Sequence, residues 1–147
     1  IAENAVDSLE VAATALGVEV TVDGTDAPIR AIPQLIYSIV YNLCDNAIKY
    51  NHCGGNVNIR VHQTLYNAVL SVKDTGIGIP EESRERIFER FYRVDKSRSK
   101  EVGGTGLGLS IVKHAVMIHN GKIEVKSELG EGTEMIVTIP NKQDIKL

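Results

Sequence analysis

Apolar residues at Ala2, Val6, Leu9, Ala13 and Leu16 recur at helical spacing, so the chain opens on an expected helix, with Gly17 as its C-terminal stop. Val18 to Val22 alternates apolar and polar residues and reads as a strand closed by Asp23-Gly24. Pro28 to Ala31 reads as a short partner strand. Pro33 suits the first turn of a second helix, whose apolar face (Leu35, Ile36, Ile39, Val40, Leu43, Ala47, Ile48) runs to about Tyr50. After a turn at Cys53-Gly54-Gly55-Asn56, two alternating runs follow: Val57, Ile59, Val61, then Ala68, Leu70, Val72. They predict strands joined near Tyr66-Asn67. A third helix is expected from about Leu107 to His119, ended by Asn120-Gly121. Ile123–Val125 and Met135–Ile139 form a last hairpin around Gly130-Glu131-Gly132, closed by Pro140. The pattern is that of one α/β domain, with strands mostly in antiparallel hairpins and about three main helices on one face of the sheet.

At 147 residues, with 43% hydrophobic and 24% charged side chains, the chain has the proportions of a globular protein able to bury a core. Sixteen Lys and Arg against nineteen Asp and Glu give a net charge of -3, so no general affinity for nucleic acid or anionic membrane is expected. The best apolar run, Leu35 to Cys44, falls well short of the roughly 18 residues of a membrane span. There is no cationic and apolar leader, and the start at Ile1 suggests a piece of a longer chain. Cys44 and Cys53 read as free thiols, with no zinc-like Cys/His spacing.

Four segments could carry chemistry, and each also has a plainer reading. In Asn42-Leu43-Cys44-Asp45-Asn46-Ala47-Ile48-Lys49-Tyr50, helical spacing puts residues 42, 46, 49 and 50 on one face. That face suits a hydrated hard cation beside an anion; it also reads as a solvated helix surface. Asp74-Thr75-Gly76-Ile77-Gly78-Ile79-Pro80 places a carboxylate at a strand end, beside glycines that let a flat ring approach the backbone. It also reads as an ordinary turn. Gly103-Gly104-Thr105-Gly106-Leu107-Gly108-Leu109-Ser110 runs into a helix, where bare amides can hold phosphate. Leu109 stands where a P-loop needs lysine, and the glycine step is wrong for a dinucleotide fingerprint. A glycine hinge without ligand remains open. Finally, Arg90, Arg93, Lys96, Arg98 and Lys100 crowd one charged stretch that could fold over a polyphosphate or lie solvated. Phe88, Phe91 and Tyr92 beside it are three of only seven aromatics (two Phe, five Tyr), an odd expense for a solvated loop.

Together and in this order, the segments resemble the ATP-binding catalytic domain of bacterial two-component sensor histidine kinases. That domain belongs to the Bergerat-fold ATPases, with DNA gyrase, the ninety-kilodalton heat-shock chaperone and the mismatch-repair ATPases. Asn42 to Tyr50 matches the N box, Asp74 to Ile79 the first glycine box, Phe88 to Arg93 the F box and Gly104 to Ser110 the second glycine box. Gly130-Glu131-Gly132-Thr133 and the strand after it fit as well. Ile32, where the family usually has aspartate, and Cys44, where it has a larger aliphatic, depart from the pattern.

The resemblance implies a two-layer α/β sandwich, three main helices on a mixed five-stranded sheet, as one domain over 1–147 with a lid at about 88–105. It implies that Asp74 accepts from the adenine amine, with Gly76, Gly78, Ile79 and Thr133 around the base. Asn46, helped by Asn42, would hold Mg²⁺, Lys49 and Arg93 would meet phosphate oxygens, and Tyr50 would line the nucleotide site. The stretch Gly104, Thr105, Gly106, Leu107, Gly108 and Leu109 would cradle the phosphates, and Phe88 and Phe91 would anchor the lid or dock it on a partner domain. Hydrolysing relatives carry a water-activating glutamate where this chain has Asn42, so the site is expected to hold ATP for transfer.

None of His52, His62, His114 and His119 has the phosphoacceptor context; His62, His114 and His119 are expected to be structural. The acceptor would then lie on a separate dimerisation and phosphotransfer domain, with a response regulator downstream and the whole a dimeric inner-membrane sensor whose catalytic domain is cytoplasmic. Two other readings stay open: a Bergerat-type serine kinase such as an anti-sigma factor, and a non-catalytic nucleotide-sensing module. Residues 93–105 are expected to be poorly ordered without nucleotide.

Overall fold

A computed structural model of the chain describes residues 1–94 and 105–142. The helices are α1 (Ala2–Asp7), α2 (Glu10–Leu16), α3 (Pro33–Lys49) and α4 (Gly108–Ile118). The strands are β1 (Glu19–Gly24), β2 (Asn56–Gln63), β3 (Asn67–Asp74), β4 (Lys122–Glu128) and β5 (Gly132–Pro140). They form one mixed sheet in the order β1-β2-β3-β5-β4. β1 pairs parallel with β2 and the other pairings are antiparallel. A parallel pair cannot be joined by a tight turn, and α3 supplies the crossover.

Period-2 alternation sets the register. Val57 faces Asp74 across β2–β3, and Ile59 faces Val72; across β3–β5, Val72 faces Met135 and Asp74 faces Thr133. One side of the sheet is therefore apolar except at its end, where Asp74 and Thr133 sit together. On that side α3 buries Ile39, Val40, Leu43, Cys44, Ala47 and Ile48, and α4 buries Val112, Ala115 and Val116. Each large aliphatic so buried contributes about 1.5–3 kcal/mol, far more than helix propensity does. Cys44 is held in this layer, and burial pushes its thiol up to about 12.

The two-layer expectation holds, with differences in detail. The N-terminal stripe, expected as one helix, is two short ones. Ser8 Oγ donates back to the Asn4 carbonyl (3.0 Å), and the Leu9 amide bonds only three residues back, to Val6 (2.9 Å). Such back-bonding bends helices. Pro28–Ala31 joins no strand: β1 is paired by β2, the Thr25 amide makes a last bond to the Val61 carbonyl (2.8 Å), and the chain then leaves the sheet. The expected histidines also divide. His119 is fully buried; its Nε2 accepts from the Ile32 amide (3.0 Å), so its Nδ1–H donates to the Ala115 carbonyl (2.8 Å). It thus ties the end of α4 to the start of α3. His114 and His62 are exposed, on the outer faces of α4 and β2, and have no core role. Most of the stretch expected to be poorly ordered, with Lys96, Arg98, Lys100, Gly103 and Gly104, lies outside the described residues.

Candidate functional site

α3, the end of β3, the start of α4 and the inner face of β5 surround a cleft of about 350 Å³. Its walls include Asn42, Asp45, Asn46, Lys49 and Tyr50 from α3 and the residue after it, and Thr105, Gly106, Gly108 and Leu109 from α4 and its approach. Asp74, Gly78, Ile79 and Thr133 close the far end, and Leu43, Val72, Ile87 and Met135 supply apolar floor.

Asp74 is fixed by the backbone. Its Oδ1 accepts from the Gly76 amide (2.8 Å) and the Thr133 amide (3.2 Å), whereas Oδ2 has no hydrogen-bond partner among the described residues. Burial pushes the carboxyl above its ordinary value, and the two amide donors pull it partly back. The loop after it needs glycine twice. A Cβ at Gly76 would meet the Tyr50 carbonyl at 2.5 Å, and Gly78 has φ 74° with the Glu128 carbonyl 2.2 Å from where its Cβ would be. Two amides moor that loop to the β4–β5 turn: Ile79 N–H donates to Ser127 Oγ (2.8 Å), and Gly130 N–H to the Ile77 carbonyl (2.8 Å).

Across the cleft, the Asn42 amide nitrogen donates to the Ser38 carbonyl one turn back (2.8 Å), which leaves its oxygen as the acceptor on offer, against the Gly108 backbone. The Asn46 amide has no hydrogen-bond partner among the described residues. Lys49 pairs with Asp45 at 2.8 Å. An i,i+4 pair of this order stabilises by only about 0.5 kcal/mol, so a more highly charged anion would draw the ammonium away readily. At the head of α4, Thr105 Oγ1 accepts from the Leu107 amide (3.3 Å) and Ser110 Oγ donates to the Leu107 carbonyl (2.8 Å). The first-turn amides of α4 have no intrahelical acceptors.

Of the aromatics beside the charged stretch, Phe88 and Tyr92 pack partly into the core. The Tyr92 hydroxyl donates to Ser83 Oγ (2.9 Å), and the Arg86 guanidinium lies 4.5 Å from its ring centroid. Phe91 is 70% exposed in the left-handed region (φ 64°), its amide bonded to the Gly106 carbonyl (2.9 Å). Three residues expected at the site, Gly76, Leu107 and Arg93, do not line the cleft. Gly104 is outside the described residues. Sequence reasoning had not singled out Asp45 or the floor of Ile77, Ile87, Val94 and Met135. Met135 was legible, two residues along β5 from Thr133 and so on the same face; Val94 sits in irregular backbone that carries no periodic signal.

Residues 31–143 match the family of histidine kinase-, DNA gyrase B- and HSP90-like ATPases. The chain belongs to that ATPase family. The sensor-like histidine kinase SenX3 of Mycolicibacterium smegmatis is 41% identical over 148 residues, covering 98% of this chain and 38% of its own length. The sensor histidine kinase WalK of Bacillus subtilis is 45% identical over 111 residues, 74% of this chain and 18% of its own. The chain thus spans well under half the length of either relative. Among solved structures, a mycobacterial sensor histidine kinase, MprB, superposes with TM-score 0.86 at 30% identity, covering 97% of this chain and 95% of that one. Full-length ShkA in complex with AMPPNP gives TM-score 0.82 at 27% identity, covering 99% of this chain and 30% of its own. The chain corresponds to the catalytic ATPase domain of sensor histidine kinases, as its motifs led one to expect.

Proposed function

We propose that this ATPase-family domain binds ATP with Mg²⁺ and donates the γ-phosphoryl to a histidine on a separate dimerisation domain, with a response regulator downstream. The observation that carries this reading is convergence: an amide-bearing helix face, an open carboxylate oxygen and the bare amides of a helix start share one cleft. A purine needs an apolar slot with an acceptor for its amine. The floor of Val72, Ile79 and Met135, with the open Asp74 Oδ2, meets both requirements. A triphosphate needs donors and counter-charge, available from the start of α4 and from Lys49. The residues also fit the metal: neutral amide oxygens of Asn46 and Asn42 suit a hard cation that keeps part of its water shell. Mg²⁺ held there would neutralise charge on the phosphates.

Transfer is favoured over hydrolysis because Asn42, with its NH₂ bonded to its own helix, cannot take a proton from water. This chain would work by positioning, and the acceptor histidine's own domain would supply the base. The AMPPNP carried by ShkA, an ATP analogue, supports the choice of nucleotide. The relatives are longer sensor kinases, which supports placing this domain within a dimeric membrane sensor, on the cytoplasmic side where ATP is found.

The test adds labelled ATP and a histidine-bearing dimerisation domain to this chain. Label stable to base and lost in acid supports phosphohistidine. Acid-stable label would point to serine transfer. Tight ATP binding with no label would leave a sensing module.

A further inference from the structure

Ser127 lies on β4 outside the ring of residues that line the cleft, yet its hydroxyl has three partners beside it. The Ile79 amide donates to its Oγ (2.8 Å), its Oγ lies 2.9 Å from the Gly132 carbonyl, and Thr133 Oγ1 is 2.8 Å away. A serine hydroxyl has one proton and two acceptor sites. A carbonyl can only accept, so the Ser127 proton goes to Gly132. The proton between Ser127 and Thr133 must then come from Thr133. This completes the valence of Ser127: one bond donated, two accepted. It also commits the only proton of the Thr133 hydroxyl away from the cleft. Thr133, buried and lining the cleft, is left with lone pairs to offer there. Beside it in register is Asp74, whose open Oδ2 is likewise an acceptor.

We propose that Ser127 is a positioning residue for base selection: it turns the Thr133 hydroxyl so that the end of the cleft offers hydrogen-bond acceptors alone. Facing the 6-position, such a surface accepts from the amine of a 6-aminopurine, whereas the carbonyl of a 6-oxopurine would meet acceptors there and no donor. A site built to pair one polar pattern penalises the inverted one because its own groups then stay unpaired. The inference rests on the nucleotide reading above and deepens it.

The test measures affinities of ATP and inosine triphosphate for this chain by calorimetry; the probes differ only at the purine 6-position and the adjoining N1. The wild type should prefer ATP. Ser127→Ala frees the Thr133 proton to turn inward, and the ATP preference should fall about fivefold to tenfold. The Ile79 amide also loses its acceptor in that variant, but this affects both nucleotides alike and cancels in the ratio. Ser127→Thr, which keeps the hydroxyl, should restore the preference. In a Thr133→Val background, Ser127→Ala should leave the ratio unmoved, because the hydroxyl it acts through is gone. An unchanged ratio in folded Ser127→Ala overturns the proposal while leaving ATP binding intact. So does an equal change in the Thr133→Val background. A wild type that binds neither nucleotide overturns the functional reading itself, and this inference with it.

Discussion

Asp74 carries two opposed demands. Its carboxyl is held partly out of water, which favours the neutral form, yet the proposed role as acceptor for an amine calls for the charged one. Its folded pKa lies above the 3.8 of a free aspartate. In that window the folded state binds more protons than the unfolded, so stability from this group falls as pH rises through the raised value and is regained below it. Nucleotide affinity should run the other way. Because Oδ1 is already taken by two amides, an added proton sits on Oδ2 and turns the acceptor into a donor. Titration calorimetry should show ATP affinity weakening on acidification before the fold is lost. Asp74→Asn keeps an oxygen for both backbone donors and removes the buried charge. It should melt no lower than the wild type while losing roughly tenfold to a hundredfold in ATP affinity. Equal affinity in that variant would remove Asp74 from the site. The cysteines make a second prediction at this scale. Cys44 is buried and its thiol pushed up to about 12, whereas Cys53 is exposed. A thiol reagent should therefore titrate one group in the native protein and two in denaturant.

At the scale of the element, α3 is a wall of the cleft on one face and a core helix on the other, and the two faces should separate in mutants. Leu43→Ala or Ile48→Ala should cost about 2–5 kcal/mol in chemical denaturation, through cavity and lost burial. Asn46→Asp changes only the cleft face and should leave the denaturation curve in place while abolishing binding of an ATP analogue. His119→Ala should destabilise by about 1–3 kcal/mol, because it strands the Ile32 amide at the start of α3. This scale also shows where sequence was legible. The period-3.6 face of α3 and the alternation in β2, β3 and β5 are long and unbroken, and they appear in the fold within one to three residues. The break at Ser8–Leu9 was hidden because the apolar stripe continues through it; only the back-bonded serine ends the helix. Pro28–Ala31 misled because a short apolar run carries no information about its neighbour, and β1 takes its partner from beyond α3.

Over the whole molecule, the site was legible as four motifs and illegible as a surface. Residue type and spacing pointed to Asn42, Asn46 and Asp74, each a polar group where its element would otherwise be apolar or plain, and the family resemblance added Thr133. The apolar floor was not separable from core by pattern, because Met135 and Val72 serve both. Mg²⁺ and an ATP analogue together should raise the melting temperature. At a hundredfold excess over Kd the gain is about 2.7 kcal/mol, worth roughly 5–11 °C for a chain of this size. Scanning calorimetry with and without chelator would check it, and a shift indifferent to chelator would remove the metal from the cleft.

The walls of the cleft come from chain segments some sixty residues apart, the end of the crossover helix and the head of α4, over a floor drawn from the last strand. A bound triphosphate would therefore act as a rivet between the first and last thirds of the polypeptide. Pulled from its ends in an optical trap, the liganded domain should rupture at higher force, with little change in how fast the released chain regains its shape.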